Sequence, residues 1–176
     1  MLDIQWLGTG GMLTLPERHL TAMLLRYQGQ GVLIDCGEGT QVAIRLAVAR
    51  VTHISVICLT RFHADHVAGL PGLLLTIGNA DRTEPIVIVG PRHVGKVVDC
   101  LRVIAPQLPF PVEYREIPPE GREVLRIGEL RLTAHPVKHH VACFAYRFDL
   151  PRQGRFDAVA AKALDIPVQQ WSRLQR

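Results

Sequence analysis

Apolar and polar residues alternate through "LDIQWLG" (Leu2–Gly8), the two-residue period of a strand with one face in a core, and the "GTGG" after it reads as a tight turn. "TAMLLRYQGQGVLIDCGEGT" reads as a hairpin, with strands at 21–27 and 32–35 around a glycine-containing turn at 28–31. "TQVAIRLAVAR" (Thr40–Arg50) switches to helical spacing, with Thr40 as the expected N-cap. "ISVICLT" (Ile54–Thr60) is a continuous apolar run, the pattern of a strand covered on both faces. A helix is expected from near Pro71, since proline suits a first turn. "PIVIVGP" (Pro85–Pro91) is a second buried strand, followed by a helix over His93–Ile104. "FPVEYREI", the hairpin "EVLRIGELRLTAHPVKHH" turning near Gly128, and Val141–Leu150 complete the strands.

The strands outnumber the helices, and buried runs mix with alternating ones, which argues for a mixed α/β sandwich with helices over a sheet. Residues 151–176 lack a strand pattern and are richer in Arg, Gln and Pro. They read as an arm or a short helix leaving a domain of residues 1–150.

Composition narrows this only a little. A chain of 176 residues, 48% hydrophobic and 20% charged, suits one soluble globular domain and argues against disorder. Net charge +4 and pI near 9.1 permit an anionic partner such as RNA, yet fit a solvated basic face equally well. Cys36, Cys58, Cys100 and Cys143 are scattered with no C-x-x-C pair, and three sit in apolar or glycine-rich surroundings that favour a reduced, buried cysteine over a disulfide. With no basic, apolar leader and no run of about 20 apolar residues, the expected location is the cytoplasm, with no membrane partner.

The candidate chemistry lies in "LTRFHADHVAGLPGL", where His63, Asp65 and His66 follow a buried strand. Zinc favours imidazole nitrogen and carboxylate oxygen, and a catalytic site leaves one position open for water. "HPVKHHV" offers further imidazoles at His135, His139 and His140, within a chain of only 8 histidines. Any single histidine is better read as surface or core; two clusters after strands favour a metal. Asp65 could equally cap a helix. Asp35 reads either as an acceptor that fixes a ligand histidine's tautomer or as a turn residue. "LGTGG" and "DCGEGT" match no phosphate-binding fingerprint and are read as turns lining a cleft.

Several stretches together, "LGTGG", "DCGEGTQ", "LTRFHADHVAGLPGLL", "PIVIVGP", "HPVKHHVACFAYRF" and "GRFDAVAAKALDIP", resemble the N-terminal half of ribonuclease Z (tRNase Z) of the metallo-β-lactamase superfamily. The resemblance implies an αββα sandwich and a zinc-dependent phosphodiesterase that cleaves precursor tRNA endonucleolytically at its 3′ side. On the motif T-H-x-H-x-D-H, Thr60, His63, Asp65 and His66 match. The resemblance then assigns His63 and the later His139 to one metal, and Asp65 and His66 to the other, with Asp65 as the catalytic proton acceptor. Two Zn2+ per complete site are implied, and Mn2+ or Fe would suit similar ligands. It further implies a homodimer in which an arm, starting at "GRFD", grips tRNA; Arg152, Arg155, Lys162, Arg173 and Arg176 suit that role.

The sequence departs from the family pattern at Arg61, at positions after His139, and in length. Arg61 stands where the motif has its first histidine, and a guanidinium has no lone pair to give a metal. His140 takes the place of a hydroxyl residue, with Ala142 and Ala145 at further altered positions. The family's remaining metal ligands lie in a C-terminal half, so the chain is expected to be part of a longer protein. Two other readings stand beside the nuclease. One is a small-substrate hydrolase of the same fold; the other is an inactive RNA-binding pseudoenzyme, which Arg61 favours.

Overall fold

A computed structural model describes residues 1–151, 154 and 156–174. Its first sheet has six strands in chain order: β1 (Leu2–Gly8), β2 (Ala22–Tyr27), β3 (Gln30–Ile34), β4 (Ile54–Cys58), β5 (Ile86–Gly90) and β6 (Val112–Glu116). The first two pairings are antiparallel and the next three parallel. A second, antiparallel sheet of three strands holds β7 (Arg122–Ile127), β8 (Leu130–Pro136) and β9 (Phe144–Asp149).

The parallel strands need crossovers, and these supply the helices. α1 (Thr40–Leu46) joins β3 to β4; α2 (Ala64–Val67) and α3 (Leu70–Gly78) join β4 to β5; α4 (Val94–Leu101) joins β5 to β6. Successive residues of the central strands then enter two different cores. Leu24, Leu33, Ile57 and Ile88 pack with Ile44 of α1, Leu74 of α3 and Val98 of α4. Their neighbours Leu25, Val32, Val56 and Val89 pack instead with Leu132, Ala134 and Phe144 of the second sheet. This two-sided burial is why β4 is apolar at every position but Ser55. The described layers are helix, sheet, sheet, the larger part of the expected αββα sandwich.

Several local expectations are corrected. Thr40 is not the N-cap of α1: Gly39 holds that position at φ 81°, and the Thr40 hydroxyl donates back to Gly37 O at 2.6 Å. The helix ends at Leu46 rather than Arg50, because Val48 turns to φ 54°. The expected helix over 93–104 is α4 followed by a 3-10 turn at Arg102–Ile104. "GTGG" is no tight turn; it opens a longer loop that returns with Gly10 N–H donating to His19 O at 2.9 Å. The last strand starts at Phe144, so residues 137–143 form a loop. Beyond Leu150 the segment carries two short helices, α5 (Ala158–Ala163), capped by Asp157, and α6 (Val168–Leu174). Arg152, Arg155 and Arg176 of the expected arm lie outside the described residues.

Candidate metal centre

The centre forms where β3 and β4 end side by side. Asp35 follows β3 in the left-handed region (φ 59°), and its N–H donates to Cys58 O at 2.8 Å. That turns its carboxylate across the end of β4. Thr60 donates to it twice, from N–H at 2.8 Å and from Oγ1 at 2.9 Å. His66 Nδ1 lies 2.7 Å from the same carboxylate. An imidazole that gives its Nδ1 proton to a carboxylate keeps a lone pair on Nε2. His66 is 4% exposed, and this Nε2 is buried with no hydrogen-bond partner, which a polar atom accepts only at a cost unless something binds it. Asp65 Oδ2 lies beside it at 3.4 Å and accepts from Met12 N–H at the same distance.

The backbone holds this half rigid. Cys36 N–H donates to His66 O at 2.8 Å, and Gly69 N–H to Cys36 O at 2.9 Å. A Cβ on Gly69 would meet Gly37 O at 2.1 Å, and one on Gly37 would meet Asp65 O at 2.6 Å. Only glycines let the loop after β3 and the two helices after β4 cross so closely. Asp65 lies in the first turn of α2 but is not its cap; His63 holds that position.

The second half is assembled from loops. Phe144 N–H donates to Thr60 O at 3.0 Å, and the Tyr146 hydroxyl to Leu59 O at 2.8 Å. Burial keeps that phenol far above its usual pKa, so it remains a donor. Val137 N–H closes the intervening loop onto Cys143 O at 3.0 Å. The result sets His139 and His140 against His63, with one ligand nitrogen from each ring within 4.8 Å of the others. Desolvation, then the fields of His140, Arg61 and the other histidines, lower the His139 pKa and favour its neutral, ligating form. Arg61 Nε donates to His63 Nδ1 at 3.0 Å.

The expected site residues therefore fall into two groups: Asp65 with His66, and His63 with His139. His135 is on the exposed face of β8, opposite Ala145, outside that cluster. The cysteines are free; burial pushes the Cys36 thiol up to about 12 and Cys58 well above its usual value, which makes both poor ligands. The orphaned Nε2 beside a carboxylate, and the convergent imidazoles, are donors that fit zinc or a similar borderline cation. One feature escaped the sequence reading. The place of Tyr146 as a strut shows only in three dimensions, while His140, raised as a candidate imidazole, joins the cluster and His135 does not.

A family model described as Anti-Pycsar protein Apyc1 matches residues 2–147. A ribonuclease Z of Lachnospira eligens is 50% identical over 175 residues, covering 99% of this chain and 57% of the relative. The chain thus spans less than two thirds of the length of the curated relatives it matches. Human tRNase Z, short form, superposes with a TM-score of 0.75 at 26% identity, over 85% of this chain and 65% of that one. The metallo-β-lactamase fold protein YhfI of Bacillus subtilis gives a TM-score of 0.67 at 16% identity, over 84% and 57%, a likeness of fold alone. Matched over most of its length, and with these sheets and histidine loops in place, the chain belongs to the family described as Anti-Pycsar protein Apyc1, has the metallo-β-lactamase fold, and is a relative of ribonuclease Z.

Proposed function

We propose that this chain carries the metal-binding part of a zinc-dependent endoribonuclease that processes the 3′ side of precursor tRNA. The observation that carries the reading is the buried His66, fixed by Asp35 and presenting an unpartnered Nε2 beside Asp65. Curated relatives of this chain carry the name ribonuclease Z, which supports the substrate class.

In this reading Asp65 and His66 hold one ion, and His63 and His139 take part in holding the other. Bound there, two such ions would supply an attacking hydroxide near neutral pH and neutralise the phosphodiester's charge. Asp35 keeps the His66 proton on Nδ1, so that Nε2 stays available. Asp65 accepts the proton of the attacking water, and its side chain, 12% exposed, is within reach of solvent. Lys162 and Arg173, on α5 and α6, face the RNA backbone by charge. The cut leaves a 3′-hydroxyl on the tRNA. The protein acts as a homodimer in the cytoplasm, each arm serving the partner's site.

The test is cleavage of a labelled precursor tRNA with a 3′ trailer, before and after chelation and zinc return. Cutting at the trailer junction that stops on chelation and returns with zinc is expected. Cleavage indifferent to chelation would overturn the reading. Arg61, bonded to His63, favours a second reading, an RNA-binding chain without turnover; tight binding of the precursor with no cutting in zinc would select it.

A further inference from the structure

His63, His139 and His140 pack as a three-ring cluster. His63 meets His139 edge-on at 5.3 Å and stacks on His140 at 4.9 Å, while His139 and His140 are 4.1 Å apart. Ring packing accounts for such centroid distances. The same packing brings one ligand nitrogen of each ring to within 4.8 Å of the other two. Among the described residues no carboxylate bonds to any of the three, so nothing anionic explains their gathering. Three imidazoles gathered with no anion among them are the donor set that a shared borderline cation takes.

Arg61 sharpens the point. It sits beside His63, at the position from which a further ligand to this half would come, and can supply none. His140, next to His139 in the loop between β8 and β9, reaches the same cluster.

We propose that His140 is a metal ligand, forming with His63 and His139 a three-imidazole site for one divalent cation such as zinc, and so standing in for the ligand that Arg61 cannot be. Three imidazoles leave the fourth tetrahedral position to water or a phosphate oxygen. Tetrahedral zinc, with Zn–N bonds of about 2.0–2.1 Å, holds its nitrogens about 3.4 Å apart. The rings close that gap by turning, and His139 and His140 are exposed and free to do so. The Arg61 bond at His63 Nδ1 leaves the ring proton on Nε2. An ion must displace either the guanidinium or that proton, so Arg61 competes with the metal and the site is weaker than three free imidazoles would be.

The inference rests on the metal-dependent reading above, and its test is separate from turnover. The full chain, stripped by chelator, is titrated with zinc against a chromophoric chelator and with cobalt by visible absorption. The variants are His140→Ala, His140→Gln and His139→Ala, with circular dichroism as the check on folding. Loss of His140 is expected to weaken one ion by at least about tenfold, the smaller loss that removing even an outer partner of a ligand brings, and to dim the tetrahedral cobalt bands. In an Arg61→His background the same His140→Ala change should cost less, because the replaced ligand has returned. Zinc and cobalt titrations of His140→Ala that overlay the parent would overturn the proposal, as would a parent chain with no ion sensitive to His139→Ala. If the ion depends on His140 yet precursor tRNA is never cut, the nuclease reading falls and this site stands.

Discussion

The two halves of the histidine centre differ in what holds their donor atoms still. Around His66 everything is fixed before any ion arrives: one buried carboxylate accepts from a backbone amide, a hydroxyl and an imidazole. Around His63 two of the three donors come from an exposed loop, and a cation, Arg61, donates to the His63 ring. The first half spends folding stability on order, since an unpaired Nε2 and a buried carboxylate are tolerable only inside a complete network. The second half spends almost none. A substitution there costs the fold little, which is how an arginine can occupy a place beside the ligands.

The contrast can be broken by substitution, beginning where the effect is largest. Asp65→Ala should abolish cleavage of precursor tRNA while leaving the denaturation midpoint near the parent's; cutting at a near-parent rate would remove Asp65 as proton acceptor. Asp35→Ala strips three donors of their acceptor and should lower stability by about 3 kcal/mol in urea unfolding. A loss below about 0.5 kcal/mol would mean that the rigid half is not rigid for the reason given. Tyr146→Phe removes the bond to Leu59 O and should cost about 1 kcal/mol. It should also loosen the seating of the loop that bears His139 and His140, seen as faster amide exchange there. Arg61→His should leave stability within about 0.5 kcal/mol while raising zinc content by elemental mass spectrometry. Unchanged metal in that variant would contradict the competition drawn between guanidinium and ion.

Much of this was legible in the sequence, for identifiable reasons. β4 announced itself because both its faces are covered, which leaves Ser55 as its one polar residue. Asp35 could be read as the support of a histidine or as a turn residue, and only the folded chain, which brings its carboxylate to His66, decides between them. Local geometry was harder. Thr40 looks like a cap by residue type, yet Gly39 alone can adopt the left-handed turn, and the hydroxyl goes back to Gly37 instead. The periodicity of "TQVAIRLAVAR" runs past Leu46, and no pattern rule foresees Val48 in the left-handed region. The gathering of His139 and His140 on His63 depends on Phe144 and Tyr146 binding the strand-end carbonyls, contacts between residues more than eighty positions apart.

The crossing at Gly37 and Gly69 has a consequence for inheritance. A methyl group at either place would push apart the segments that carry Cys36 and Asp65, and with them His66. A random-mutagenesis screen for dead alleles should therefore collect hits at these two small residues as readily as at the imidazoles. Sorted by chemistry alone, those hits would look like bystanders.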